Sequence, residues 1–416
     1  MAESPANRSY RALLAVPSLP RILLGMQIAR IAQMMVSIAL VLFTLDTYHS
    51  APLAGLVTFA STFPSVLASP LAGALLDRHG RTWLVVADYL VACLAMLLIG
   101  GLALGGILQP WMLVAIGLVS ALTNPLSAAG LRSLLPILVP RHLWERANAV
   151  DSNGYVMATV IGPPVAGLMV EVWGGAVGLI VIGILYAVAA VVLLRIHDPM
   201  TETASTGSIF LDALNGLRYT LLHPTLRGLG ISVSTLNLAG GAVNILLPLI
   251  VLNRLHQGEA VVGLLFAVSG VFGMGAAFFS GRLNTMGRER GLLVWPMVVF
   301  GLSLLLLLPS DGLLLPVLAM AISGLTSGPL DIALFTVRQR RTDPAWMGRA
   351  FAVSMSINFL GFPIGSALTG WLATESIELA VLFAVAACFV AALLARLLIP
   401  LRDDRAAHGR PPSSTG

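Results

Sequence analysis

Apolar residues in this chain come in long unbroken runs, separated by short charged, glycine or proline breaks, rather than alternating with polar ones over a few positions. The runs lie near 22–46, 52–76, 83–106, 111–136, 149–171 and 175–195, and a second set lies near 228–251, 259–281, 291–308, 313–337, 350–373 and 377–399. Each, coiled as a helix, is long enough to cross a hydrocarbon layer of about 30 Å. The pattern predicts an all-α membrane protein of twelve transmembrane helices, six and then six. Polar residues fill the stretch between the two sets. Within it Phe210, Ala213, Leu214, Leu217 and Leu221 share one helical face, which predicts an amphipathic helix lying along a membrane surface. The expected organisation is an N-terminal six-helix bundle over 1–195, a cytoplasmic linker over 196–227, a C-terminal six-helix bundle over 228–400 and a disordered tail over 401–416.

Composition supports this reading. Of 416 residues, 57% are hydrophobic and only 10% charged, too apolar for a chain folded in water. All 24 basic residues are arginine, so Schiff-base chemistry and a Walker-type nucleotide loop, which need lysine, are excluded. Placing both termini in the cytoplasm puts every arginine on the inner side except Arg254, in an outer loop, and Arg30, within the first span. The net charge of +5 therefore records orientation in a cytoplasmic membrane and does not point to nucleic acid. Cys93 and Cys388 fall inside apolar runs and read as small buried hydrophobes. No metal cluster, cofactor motif or catalytic group set is evident, so no cofactor and no enzyme activity are expected.

The chain also repeats itself. Ser120-Ala121-Leu122-Thr123 returns as Ser323-Gly324-Leu325-Thr326, and the same offset of 203 carries Arg146-Ala147 onto Arg349-Ala350, Gly162 onto Gly365 and Gly167 onto Gly370. Six spans per copy give two parallel six-helix repeats that point the same way, an arrangement with a midplane site between them.

The loop after the second run, Gly73-Ala74-Leu75-Leu76-Asp77-Arg78-His79-Gly80-Arg81-Thr82, resembles the signature loop of the major facilitator superfamily, with Thr82 in place of the usual basic residue. The resemblance implies the major facilitator fold, secondary transport by alternating access, and a gating latch formed by Gly73, Asp77, Arg78, Gly80 and Arg81. A second segment, Ala158 to Gly167, is similar to the fifth-helix motif of antiporters through Gly162, Pro163 and Gly167, with Ala158 and Ala166 departing from it. Leu138-Val139-Pro140-Arg141 and Gly348-Arg349-Ala350-Phe351 resemble the branch of macrolide-efflux and enterobactin-type siderophore exporters. These likenesses imply efflux of an amphipathic small molecule, with proton coupling. Uptake or facilitated exit of a small polar metabolite, and a transporter-like sensor that moves nothing, are the alternatives. The lipid bilayer, a small-molecule substrate and protons are the expected partners, and a monomer suffices.

Polar positions inside the spans mark the candidate path. Gln27, Arg30, Gln33, Met34 and Ser37 recur at three to four residues along the first span, and Ser234, Asn237, Gly241 and Asn244 form a matching stripe on the seventh. Such stripes should face a cavity rather than lipid. Arg30 lies about 12 Å into the layer at 1.5 Å per residue; its guanidinium is a candidate anchor for an anionic or carbonyl-rich substrate. The bland alternative is an ion pair with Asp331 or Asp88. Asp331, Asp88 and Asp151 are the candidate proton carriers, with Asp331 first and Asp151 placed at the inner start of the fifth span.

Overall fold

The computed structural model describes residues 9–194, 196, 209–280, 287–309, 311–343 and 346–400. The segment 197–208 of the predicted linker and the predicted disordered tail lie outside them. The described chain is all-helical. A short helix α1 (Tyr10–Leu14) leads into α2 (Leu19–Tyr48), α3 (Ala51–His79), α4 (Arg81–Leu104), α5 (Pro110–Leu138), α6 (Trp144–Trp173) and α7 (Gly175–Leu193). Then come α8 (Ile209–Leu222), α9 (Pro224–Leu249), α10 (Glu259–Ser280), α11 (Glu289–Leu304), α12 (Leu314–Arg341), α13 (Met347–Phe359), α14 (Gly361–Glu375) and α15 (Ile377–Leu398).

Eleven helices among the described residues are long and apolar enough to cross a membrane. The run expected at 350–373 is not one continuous helix. It divides at Leu360 into α13 and α14, each below spanning length. Pro363 explains the break, because it has no N–H to offer the carbonyl of Phe359 and its ring crowds that carbonyl. Local signals set the other ends. Ser50 and Ser376 cap α3 and α15 by accepting from the N–H of Leu53 and Leu379, and proline stands in the first turn of α2, α3, α5 and α9.

Packing follows a pattern that occurs twice. α2 lies against α6 and α7, as α9 lies against α14 and α15; α3 pairs with α5 and α4 with α7, as α10 pairs with α12 and α11 with α15. Two further pairings, α3 with α14 and α6 with α10, join early helices to late ones. Contacts of Tyr48 with Leu108, Ala51 with Gly370, Glu171 with Ala260, and Arg254 with Leu308 and Glu378 gather the corners at 49–50, 105–109, 174, 255–258 and 376 on one face, the far face; the opposite helix ends, where Arg341 meets Pro400 and Tyr219 meets Asp343, form the near face. Near the far face the joining helices approach at backbone distance. A Cβ on Gly55 would lie 3.2 Å from the Cα atoms of Ala367 and Gly370, and one on Gly263 would lie 2.8 Å from the Cα of Pro164. Val41, Leu45, Ala54, Ile245 and Leu249 form a buried cluster across the same seam.

Arg254 ends the π-helical turn after α9 and is tied down three ways. It donates to the carbonyls of Leu308 at 2.9 Å and Leu307 at 3.3 Å, and pairs with Glu378 at the start of α15. The Glu378 side chain is half exposed, so Glu378→Gln is expected to cost no more than about 1 kcal/mol. Arg254→Ala removes the donor of the Leu308 carbonyl as well and should cost about 1–3 kcal/mol. Thermal unfolding of the two variants in detergent checks the order.

Candidate transport site

α2 carries the polar stripe into the middle of the bundle. Arg30 reaches α6, donating from Nη1 to the Asp151 carbonyl at 2.9 Å and from Nη2 to the Asp151 carboxylate at 2.5 Å. Its ion-pair partner is therefore neither Asp331 nor Asp88. The fifth span was expected to begin near residue 149, but α6 starts at Trp144, which brings Asp151 two turns inward and level with Arg30. Arg132 of α5 holds the other carboxylate oxygen of Asp151 through Nε at 3.1 Å. One carboxylate thus serves two guanidinia, the geometry expected for a buried acid that needs both oxygens satisfied.

Beside this triad lies a cavity of about 160 Å³, lined by Arg30, Gln33, Asp88, Asn124, Arg132 and Tyr155 together with Met26, Met96, Tyr89 and Tyr186. Gln33 Nε2 donates to Asn124 at 3.1 Å. Asp88 is buried, faces the hydroxyls of Ser127 and Thr123, and makes no ion pair among the described residues. Tyr89 and Tyr186 stand with ring centroids 6.0 Å apart. Arg132 has half its side chain exposed and Tyr155 is exposed, so the cavity opens on their side. Toward the far face Ser37 Oγ meets Asn244 Oδ1 at 3.5 Å, and the Val41 to Leu249 cluster lies beyond.

The remaining stripe residues have other neighbours. Asn237 donates to the Asn358 carbonyl at 2.8 Å, Gln27 packs against Gly154 of α6, and the carbonyl of Ser234 sits against Gly361. Asp331 is exposed on α12, without a hydrogen bond among the described residues, and does not line the Arg30 cavity. Gly73, Asp77 and Arg78 lie on the last turns of α3, with side chains outside the described set; Gly80 makes the α3–α4 corner at φ 89° and Arg81 opens α4. Gly162 packs on Met34 and the Ile31 carbonyl of α2, while Gly167 and Pro163 meet Glu259, Ala260 and Gly263 of α10. Sequence reading passed over Asn124, Arg132 and the tyrosines. Ser120, Asn124 and Ser127 recur at helical spacing along α5, and that stripe was the available signal. Arg132 was absorbed into the count of inner-face arginines.

An all-helical membrane protein with a polar, charged cavity among its spans, closed toward one face, has the form of a solute transporter. Residues 13–413 match the family described as transmembrane secretion effector. The chain is 36% identical over 394 residues to an uncharacterized MFS-type transporter, y4rN, of Sinorhizobium fredii, covering 94% of this chain and 97% of that one. It is 23% identical to macrolide efflux protein A of Streptococcus pyogenes (83% and 86% covered) and 27% identical to the enterobactin exporter EntS of Citrobacter koseri (73% and 72% covered). In fold it is similar to a mutant form of the nucleoside transporter NupG, with a TM-score of 0.74 at 14% identity over 91% of this chain and all of that one. The chain belongs to the transmembrane secretion effector family of major facilitator transporters. It is an integral membrane transporter, not an enzyme, and efflux proteins are among its relatives.

Proposed function

We propose that this chain exports an amphipathic small molecule by alternating access, driven by protons, with the Arg30 cavity as its solute site. The observation that carries the reading is a pair of guanidinia, the largely buried Arg30 and the half-exposed Arg132, sharing one buried carboxylate and lining a cavity beside apolar and aromatic walls, in a protein whose far-face seam is packed shut. Intramembrane charge is costly and is kept where it acts. The two-fold recurrence of the packing supports twelve spans in two parallel six-helix bundles, 1–195 and 228–400, with α13 and α14 together as the eleventh. Ser37 and Asn244, 207 residues apart, would then meet at the axis that relates them. The arginine distribution supports a cytoplasmic-membrane monomer with both termini, and so the near face, in the cytoplasm. Within the 196–227 linker, α8 would lie along that inner surface.

Export as the direction is supported by the relatives named for macrolide efflux and enterobactin export. Asp88 is the proposed proton carrier ahead of Asp151, which is held by two arginines, and of Asp331, which stands apart from the cavity. Gly73, Asp77, Arg78, Gly80 and Arg81 are proposed as the latch, and Gly162, Pro163 and Gly167 as the helix packing surface on which the bundles rock. The test is accumulation of a macrolide and of enterobactin in a transporter-depleted host. Expression should lower accumulation of at least one, a protonophore should restore it, and Asp88→Asn should have the effect of the protonophore. Accumulation that the protein leaves unchanged, for both compounds and for a wider panel of amphipathic solutes, would count against export.

A further inference from the structure

The hydrogen bond that joins α2 to α6 has a likeness between α9 and α13, with asparagine in place of both the arginine and the aspartate. Arg30 Nη1 donates to the Asp151 carbonyl at 2.9 Å, and Asn237 Nδ2 donates to the Asn358 carbonyl at 2.8 Å. Each pair is 121 residues apart; Asn237 stands 207 residues after Arg30, and Asn358 lies one helical turn beyond Ser354, the position that the 203-residue repeat matches to Asp151. The third member recurs as well. Arg132 bonds an Asp151 carboxylate oxygen, and Arg338, buried against the rings of Phe335 and Phe351, stands with Nη2 2.6 Å from the side-chain oxygen of Asn358, with that amide oriented by its neighbours. One arm of the fold therefore makes this helix-to-helix hydrogen bond between two neutral asparagines, with Arg338 as the charged group beside it.

The charges of Arg30 and Asp151 are thus not required to pack these helices. Removing two ions from water carries a large desolvation cost, so a purely mechanical contact would be better served by the neutral pair. The stoichiometry is informative too. Asp151 offers Oδ1 to Arg30 and Oδ2 to Arg132, so Arg30 can be released while Asp151 keeps a guanidinium. An isolated pair could not part without stranding a buried carboxylate. Both arginines line the cavity, and Arg132 is the more exposed of the two. The other ionisable groups around the triad are Asp88 and Tyr89 on α4, Tyr155 on α6 itself and Tyr186 on α7. Of these Asp88, the second acid, faces hydroxyls.

We infer that the solute carries an anionic group which takes Arg30 from Asp151, while Asp151 falls back on Arg132. Asp151 is the resident stand-in for that anion and keeps Arg30 oriented while the site is empty. The inference rests on the Arg30 cavity being the solute site. It narrows the substrate class to amphipathic anions, with Tyr89, Tyr186, Met26 and Met96 against the apolar part.

The test uses two probes of one shape, 1-naphthoate and the uncharged 1-naphthamide, bound at neutral pH to the purified full chain in lipid nanodiscs. Wild type should prefer 1-naphthoate by about tenfold or more. Asp151→Asn should tighten 1-naphthoate and raise its preference over 1-naphthamide by a further factor of about ten. The double variant Arg30→Asn with Asp151→Asn copies the pair already present at Asn237 and Asn358, which guards against misfolding. It should lose the preference for 1-naphthoate, so that the two affinities become about equal. Equal binding of the two probes by wild type, or weaker 1-naphthoate binding by Asp151→Asn, overturns the inference. If in that case Ala92→Phe, which fills the cavity, expels both probes, the cavity stands as the solute site and only the anion assignment falls. If Ala92→Phe leaves both bound, or wild type binds neither, the site assignment falls with it.

Discussion

Gly55→Leu is expected to prop the far face open and stop transport. Gly55 stands one turn from the start of α3, where α3 and α14 touch through backbone. A Cβ there would lie 3.2 Å from the Cα atoms of Ala367 and Gly370, and would press on the Ser366 carbonyl as well. Gly370 is under the same constraint in reverse, since its Cβ would lie 3.2 Å from the Cα of Gly55. Backbone cannot swing aside as a flexible side chain would, so the helices must separate. Overpacking of this kind costs about 1–3 kcal/mol, and that cost falls only on the conformation in which the seam is closed. The closed population should drop by about 5- to 150-fold relative to the open one. The measurement is the rate at which a membrane-impermeant maleimide modifies Ser37→Cys from the far side. It should rise by a similar factor when Gly55→Leu is added. An unchanged rate together with unchanged transport would show that this seam does not gate.

Much of the fold was legible because a bilayer imposes strong constraints. A run of twenty apolar residues has few other fates, and arginine placement tests the count. What escaped were features set by local stereochemistry and by depth. The division at Leu360 follows from Pro363, which was in plain view, but hydropathy averaged over a window passes through a proline without a mark. Arg30 was legible as the deep cation because it interrupts an apolar run. Its partner was not, because a hydropathy boundary near 149 underestimates a helix that begins in polar residues at Trp144. That error moved Asp151 to the membrane edge and left Asp88 and Asp331 as the apparent choices. Asn237 was legible as the match of Arg30 in the stripe on the seventh span; the part Asn358 plays was not, because the 203-residue repeat pairs Asp151 with Ser354 and only the hydrogen bond points to Asn358.

Arg30→Ala should have the other large effect. The substitution removes two charge-assisted hydrogen bonds to Asp151 and, with the cavity as solute site, the donor fork that meets the solute. Asp151 keeps Arg132 and so is not left as an unpaired buried ion, which limits the damage to folding. A charged hydrogen bond is worth about 1.5–3 kcal/mol, or roughly 10- to 150-fold in transport if the solute depends on it. Membrane insertion should survive, because the apolar run from Leu19 to Tyr48 is only made more apolar. The combination of normal protein level with lost transport separates a solute-binding role from a structural one. The most direct test of the solute site is counterflow into proteoliposomes of a compound found in the accumulation screen, with purified wild type and Arg30→Ala reconstituted at equal amounts. Wild type should exchange the compound and the variant should do so at least about tenfold more slowly; equal exchange by the two proteins would contradict the assignment of Arg30 to the solute site.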